Sequence, residues 1–319
     1  MNKRKVLVCG ATGFIGRNIA ERLAARRNLE VFGTYFRSQP HDLLNRNKKI
    51  SLLQVDLTQK VEVDNVINGK DVIIQAAAVT SGSKDILTKP YLHVTDNAVM
   101  NSLIFRAAFE SKVKHVVFFS CTTMYPDQKR PVREEDFNYN IIDKYFGIGW
   151  TKVYLEKMCE FYSKISQTQY TAIRHSNIYG PYDKYDLERS HFFGATITKV
   201  MSANGGKINV WGDGFEERDL LYVSDLVDFV EIVIRKQSVP YELINIGMGK
   251  GYPVKEVINK IIKISGKKLS IKFDKSKPTI KFNLTVNSNK AKKKYIWRPK
   301  VSLEEGIKKT LEWYIKHYE

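Results

Sequence analysis

The segment KVLVCGATGFIG, residues 5–16, decides the fold. Lys5–Cys9 is a short apolar run without alternation, the pattern of a parallel strand covered on both faces. Glycines follow at Gly10, Gly13 and Gly16, and then the helical pattern FIGRNIAERLAARR. Glycine lets the backbone turn sharply and approach a ligand, and a helix starting near Phe14 offers free N–H groups and a positive dipole end to a pyrophosphate. A glycine triplet alone also marks ordinary turns, but a strand before it and a helix after it form the setting that a dinucleotide motif requires. Gly10, Thr12, Gly13, Phe14, Ile15 and Gly16 are therefore expected to cradle a dinucleotide.

Outward from this segment, strand and helix patterns alternate. Lys5–Cys9, Glu30–Tyr35, Ile50–Val55, Val72–Ala76, Val116–Ser120 and Tyr170–Arg174 read as strands, with helical stretches at Gly13–Arg27, Val94–Ser111 and Gly149–Ile165. That rhythm predicts an α/β protein with a doubly wound parallel sheet, its ligands beyond the carboxyl ends of the strands. After about residue 175 the rhythm breaks into loops, short helices and isolated strands at Ile208–Trp211, Leu243–Ile246 and Leu269–Phe273. The expected division is a dinucleotide-binding domain over residues 1–174, to which 215–240 return, and a smaller interwoven substrate lobe over 175–214 and 241–319.

The second strand runs EVFGTYFRSQ, with Thr34 or Tyr35 where a carboxylate for the ribose 2′-hydroxyl of NAD is usual. Arg37 follows, a cation suited to the 2′-phosphate of NADP. Asp56, with Leu57 beside it after the third strand, is positioned for the adenine amine. Ala76, Ala77 and Ala78, ending the fourth strand, are small enough to run beside the cofactor.

Composition fits an intracellular enzyme. Hydrophobic residues make up 43% and charged residues 27% of the 319, close to globular averages. No apolar run has the length of a membrane span, and MNKRK leads into a strand, not a signal peptide. Cys9, Cys121 and Cys159 form neither a disulfide framework nor a zinc spacing, so no metal is expected and a reducing cytoplasm is. The balance of 52 basic and 34 acidic residues gives +18, but the lysines are spread along the chain and no nucleic-acid motif accompanies them. An anionic substrate would benefit from that field.

GATGFIG, the VDL step, AAAVTSG, SCTTMYP, the helix bearing Lys152 and RHSNIYGPYD together resemble the extended short-chain dehydrogenase/reductase family, also described as NAD-dependent epimerases/dehydratases. The likeness spans essentially the whole chain. NIYGPYDKYDLERSHFFGATITKV, followed by KINVWGDGFEERDLLYVSDL, is similar to the branch that epimerises and reduces GDP-linked 4-keto-6-deoxy sugars; FDKSKP and SLEEGIKKTLEWY extend it. The resemblance implies that His191 is an acid or base on the sugar ring and that Trp211 and Arg218 hold the nucleotide. Asn177 would line the nicotinamide pocket and Lys152 would hold the nicotinamide ribose. It also implies a homodimer built from two helices per subunit, Val94–Ser111 and Gly149–Ile165.

The chain departs from the family pattern where the proton is exchanged. Four residues before Lys152, where the family carries tyrosine, stands Ile148, which holds no proton. The Ser/Thr position is Cys121, and the place of the epimerisation base is Thr123. Tyr145 lies seven residues before Lys152, about 10 Å along a helix axis instead of about 6 Å. A helix starting late, near Gly147 or Gly149, would let a loop fold its hydroxyl back towards the nicotinamide. Otherwise Tyr145 packs at a subunit interface, and Cys121, Thr123 or His191 supplies the proton. Cys121 reads either as a thiolate activated by the nearby lysine or as an apolar strand-end residue. Three functions stay open: an NADP-dependent epimerase/reductase, a 4-epimerase or dehydratase that keeps NAD bound, and a non-catalytic dinucleotide-binding regulator.

Overall fold

The structure is a computed structural model describing residues 3–38, 49–80, 86, 88–128, 130–187, 190–276 and 283–319. Of the motifs above, Met1, Asn2, Gln39, Ser81, Gly82, Glu188, Arg189, Lys277 and Pro278 lie outside these. In chain order come β1 (Arg4–Cys9), α1 (Phe14–Ala24), β2 (Leu29–Tyr35), β3 (Ile50–Gln54), α2 (Lys60–Ile67), β4 (Val72–Gln75), α3 (Thr95–Glu110), β5 (His115–Phe119) and α4 (Phe146–Ile165). The chain continues through β6 (Gln169–His175), β7 (Asn177–Tyr179), α5 (Phe192–Met201), β8 (Lys207–Trp211), β9 (Glu217–Tyr222) and α6 (Val223–Lys236). It ends with β10 (Tyr241–Ile246), β11 (Gly251–Pro253), α7 (Val254–Ser265), β12 (Ser270–Asp274), α8 (Asn289–Tyr295) and α9 (Leu303–Tyr318).

Seven parallel strands form the main sheet in the order β10-β6-β5-β4-β1-β2-β3. Successive side chains of a strand point to opposite faces, and here both faces are covered. Val6, Val8, Val117, Phe119 and Ile173 pack on α1 and α6 through Ile19, Leu23, Leu226 and Val230. Leu7, Cys9, Val116, Phe118 and Ala172 meet α2, α3 and α4 through Val63, Ile104, Phe105 and Leu155. That double burial is why the strands read as unbroken apolar runs. The expected doubly wound fold is the one observed.

The sheet pairing corrects the expected lobe boundary. β10, assigned from sequence to the smaller lobe, pairs with β6 from Tyr241↔Tyr170 to Ile246↔His175 and is the seventh strand of the main sheet. Ala291, Tyr295 and Trp297, in and just after α8, pack into the same core as α6. β9 joins β7 and β11 in a separate three-stranded sheet, and only α6 of the 215–240 segment returns to the large sheet. The smaller lobe is built on α5, α7 and α9 around Phe193, Ile197, Val257, Ile261, Ile307 and Leu311. No described helix is long and apolar enough to cross a membrane.

One buried titratable group marks the amino-terminal edge of this sheet. His115 opens β5 with its Nε2 2.8 Å from Thr171 Oγ1 and no partner for Nδ1. Burial, reinforced by the charge of Arg4, pushes its pKa down from 6.5 to about 3. The unfolded chain thus takes up a proton near pH 6.5, whereas the folded chain resists until about 3. Stability is therefore lost as pH falls through that window. Between pH 6.5 and 5 this one group costs about 2 kcal/mol. Urea midpoints of the wild type and His115→Gln should diverge from pH 7 to pH 5, the variant losing less; parallel curves would refute the assignment.

Candidate active site

The glycine turn is built for close approach. Gly10 has φ +74°, and a Cβ there would stand 2.8 Å from Ala77 Cα. A Cβ on Gly16 would lie 2.2 Å from the Gly10 carbonyl oxygen, so only glycine lets α1 start against the turn. Gly10 N–H donates to Thr34 Oγ1 at 3.0 Å, which commits Thr34 to the turn. Gly13 is the N-cap of α1; no side chain caps this helix and no acid stands in its first turn. Its open N–H end and glycine cradle fit a dinucleotide diphosphate.

Flanking residues frame the same edge of the sheet. Asp56 Oδ1 accepts from the Thr58 hydroxyl at 2.7 Å and the Thr58 N–H at 3.0 Å. These bonds, with a smaller contribution from Arg37, hold the Asp56 carboxyl below its usual range. Arg37 is exposed and stands 5.1 Å over the Phe36 ring. Leu57 is buried. Ala76 and Ala77 are steadied from beneath, where Gln75 Nε2 donates to the Ala77 carbonyl at 3.1 Å. Asn97 holds both the N–H and the carbonyl of Val79 at 3.0 Å.

Beyond the ends of β5 and β6 the chemical groups converge. Lys152, on α4, donates from Nζ to the Phe119 carbonyl at 2.8 Å. Burial lowers its pKa, while Cys121 and Glu156 nearby oppose that shift. Cys121 Sγ and Thr123 Oγ1 are 2.9 Å apart. Burial outweighs the charge of Lys152 and raises the Cys121 pKa, which favours the apolar strand-end reading over the thiolate.

Tyr145 and Cys121 pack against the same cluster of Met124, Tyr125, Ile141 and Val153; burial raises the Tyr145 hydroxyl pKa, and the charge of Arg218 opposes the rise. It caps α4 after a short turn over Asp143–Tyr145. α4 begins at Phe146, one residue before Gly147, and leaves Tyr145 outside the helix, as the late-start alternative required, but the bend at the two glycines is not found. Both glycines are helical and serve packing. A Cβ at Gly147 would stand 2.9 Å from Val94, and one at Gly149 would stand 2.9 Å from Ile141. Tyr145 meets the cluster shared with Cys121 from the cap itself, without a bend at the glycines.

The opposite wall comes from the smaller lobe. His191 is the N-cap residue of α5 and is exposed, its side chain making no cap hydrogen bond. The surrounding protein mass, then Lys184 and His93, hold its pKa below the ordinary value. Asn177 Nδ2 donates to the Asp219 carbonyl at 3.2 Å. Arg218 bridges to Leu284 and donates to the Glu217 carbonyl at 2.9 Å. Trp211, the last residue of β8, is 41% exposed and stands farther out on the lobe.

Sequence reasoning missed three groups here. Glu156 and Arg174 form a buried ion pair at 2.6 Å behind the Cys121 turn. Asp219, pushed up to about 6 by burial, accepts from the N–H groups of Met248, Gly249 and Val286 beside Arg218. His175, at the end of β6, interacts with Lys152 and His191. Glu156 could have been found by its position one turn after Lys152 on the same helix face.

A sequence model of the NAD dependent epimerase/dehydratase family matches residues 6–247. The chain is 27% identical to a GDP-L-colitose synthase of Yersinia pseudotuberculosis, over 98% of each chain. It is 28% identical to a GDP-L-fucose synthase of Sinorhizobium fredii, over 99% of this chain and 97% of the relative. Among solved structures, a UDP-glucose 4-epimerase of Thermotoga maritima with UDP-glucose shares the fold at a TM-score of 0.87, 23% identity, and coverage of 99% and 100%. A UDP-glucuronic acid 4-epimerase of Bacillus cereus, in complex with UDP-glucuronic acid and NAD, gives 0.86 at 23% identity, covering 98% and 100%. The match spans more than two thirds of the sequence and includes the glycine turn, Lys152 and His191, and the chain belongs to the NAD dependent epimerase/dehydratase family, the extended short-chain dehydrogenases/reductases.

Proposed function

We propose that the protein is an NADP-dependent enzyme that reduces, with or without prior epimerisation, a GDP-linked 4-keto-6-deoxy sugar or a close relative. The observation that carries this reading is that Tyr145 and Cys121 pack against one small cluster of Met124, Tyr125, Ile141 and Val153. It sets a phenol on the cluster that carries the Cys121–Thr123 turn, within the field of Arg218. The alignment of GDP-L-colitose and GDP-L-fucose synthases along almost the whole chain supports the GDP assignment. Exposed Arg37 just after β2, with no carboxylate at the end of that strand, supports NADP over NAD.

The bound cofactor supplies the hydride; the chain holds it and manages the proton. Gly10–Gly16 and the amino end of α1 take the diphosphate, and Lys152 the nicotinamide ribose. Arg37 takes the 2′-phosphate, and Asp56 the adenine. Asn177 lines the nicotinamide pocket, and Arg218 and Trp211 anchor the nucleotide of the substrate. Tyr145 stands in for the tyrosine missing at Ile148 and protonates the sugar oxygen. Cys121 and Thr123 hydrogen-bond that oxygen, and His191 acts from the opposite wall. Threonine is a poor base for an α-carbon, so reduction is the better-equipped half of the reaction.

We assign the enzyme to the cytoplasm and to a homodimer. Tyr154, Phe161 and Ile165 are exposed along α4, with Val99 exposed on neighbouring α3. Their spacing forms one apolar stripe that a second copy would cover. Sedimentation at micromolar concentration should give a dimer; a monomer would contradict this.

The functional test is oxidation of NADPH followed by absorbance with GDP-4-keto-6-deoxy-mannose as substrate. Turnover with NADPH favoured over NADH supports the reading. Inertness towards every GDP-sugar beside turnover of a UDP- or dTDP-sugar overturns the GDP assignment. Turnover without added cofactor identifies a 4-epimerase holding NAD.

A further inference from the structure

His175 closes β6 at the carboxyl edge of the main sheet, where a doubly wound fold binds its ligand. Its Nδ1 lies 2.8 Å from the Ser176 carbonyl oxygen. A carbonyl only accepts, so Nδ1 carries the proton and Nε2 is left with a lone pair. No described protein group bonds Nε2, and the ring is half-buried, packed edge-on against Phe119 with centroids 6.1 Å apart. The carbonyl of that same Phe119 receives Lys152 Nζ at 2.8 Å. Lys152, and any protonation of His191, would disfavour a charge on His175. An acceptor with a fixed tautomer therefore stands at the end of β6, packed on the residue whose carbonyl holds the lysine of the ribose site.

We propose that His175 is a cofactor-positioning residue whose Nε2 accepts a hydrogen bond from the carboxamide N–H of the nicotinamide, fixing which face of the ring meets the sugar. The carboxamide NH₂ is a neutral donor that needs an acceptor. Burial, with Lys152 and His191 adding to it, pushes the His175 pKa down to about 4, so the ring stays neutral and Nε2 keeps its lone pair at physiological pH. A neutral ring of this kind is a poor proton donor, which separates its role from that proposed for Tyr145.

The proposal rests on the dinucleotide reading of the glycine turn, and the test separates the two. Binding of NADPH and of 2′,5′-ADP, which lacks the nicotinamide half, is titrated calorimetrically with wild type, His175→Phe and His175→Gln (NADH and ADP serve if the chain prefers NAD). His175→Phe keeps the ring against Phe119 and removes the acceptor. It should weaken NADPH about 3–10-fold, the worth of one neutral hydrogen bond, and leave 2′,5′-ADP unchanged, with His175→Gln regaining part of the loss. In the wild type, the His175 imidazole ¹⁵N signal should move with NADPH and not with 2′,5′-ADP, a readout independent of any variant's folding. Unchanged NADPH affinity, equal losses for both ligands, or loss confined to the nucleotide sugar overturns the proposal. Failure of the wild type to bind either ligand overturns the dinucleotide reading, and this proposal with it.

Discussion

Replacing Lys152 by methionine is expected to lower kcat/KM for NADPH-dependent reduction by about 10²–10⁴-fold, the usual worth of an organised acid–base group. Methionine preserves the length and apolar stem of the side chain, so packing over the Phe118 ring, 4.8 Å from Nζ, survives. What disappears is the ammonium that donates to the Phe119 carbonyl and lies beside Cys121. Tyr145→Phe should produce a loss of similar size in kcat with a smaller change in KM, because a proton donor acts in the transition state. Burial raises the Tyr145 pKa and Arg218 opposes the rise, so the hydroxyl is protonated at neutral pH. If Tyr145→Phe retained wild-type kcat while Cys121→Ala or His191→Asn lost it, the proton would come from those residues, and Tyr145 would be a packing residue.

The parallel sheet was legible because burial on both faces leaves a local imprint. β1, β4 and β5 are continuous apolar runs, and the glycine turn follows β1 without a spacer. The membership of β10 was not legible. Tyr241–Ile246 pairs with a strand some 70 residues earlier, and nothing in six residues encodes that partner. Gly147 and Gly149 were misread because glycine signals both a bend and a close contact; here Val94 and Ile141 settle which. The Cys121–Thr123–Lys152 grouping was readable because the helix repeat fixes one member and the strand end the others. His175 escaped notice because it ends a run, YTAIRH, in which alternation sends Arg174 and His175 to opposite faces. Its importance depends on Phe119, which lies on a different strand.

Glu156→Gln is expected to destabilise the fold by about 3–5 kcal/mol, the cost of leaving a buried charge without its partner. The Glu156 and Arg174 side chains are 4% and 3% exposed, and Arg174 meets both carboxylate oxygens, at 2.6 and 2.9 Å. Burial alone would lower the Arg174 pKa, but its bonds to Glu156 overcome that and raise it. Ser120 Oγ donates to the same carboxylate at 2.5 Å. On its other side Arg174 donates to the Tyr125 hydroxyl at 2.9 Å, which in turn donates to Asn245 Oδ1 at 2.7 Å. The pair thus ties α4, β6, β10 and the turn bearing Cys121 and Thr123 into one buried network. Losing one member strands the others, whereas replacing both ions by apolar groups removes the unpaired charge. Urea unfolding should therefore rank Glu156→Gln and Arg174→Met well below the double replacement by methionine. A Glu156→Gln midpoint close to wild type would mean that solvent reaches Arg174, and that the turn carrying Cys121 is held by packing around Tyr125 instead.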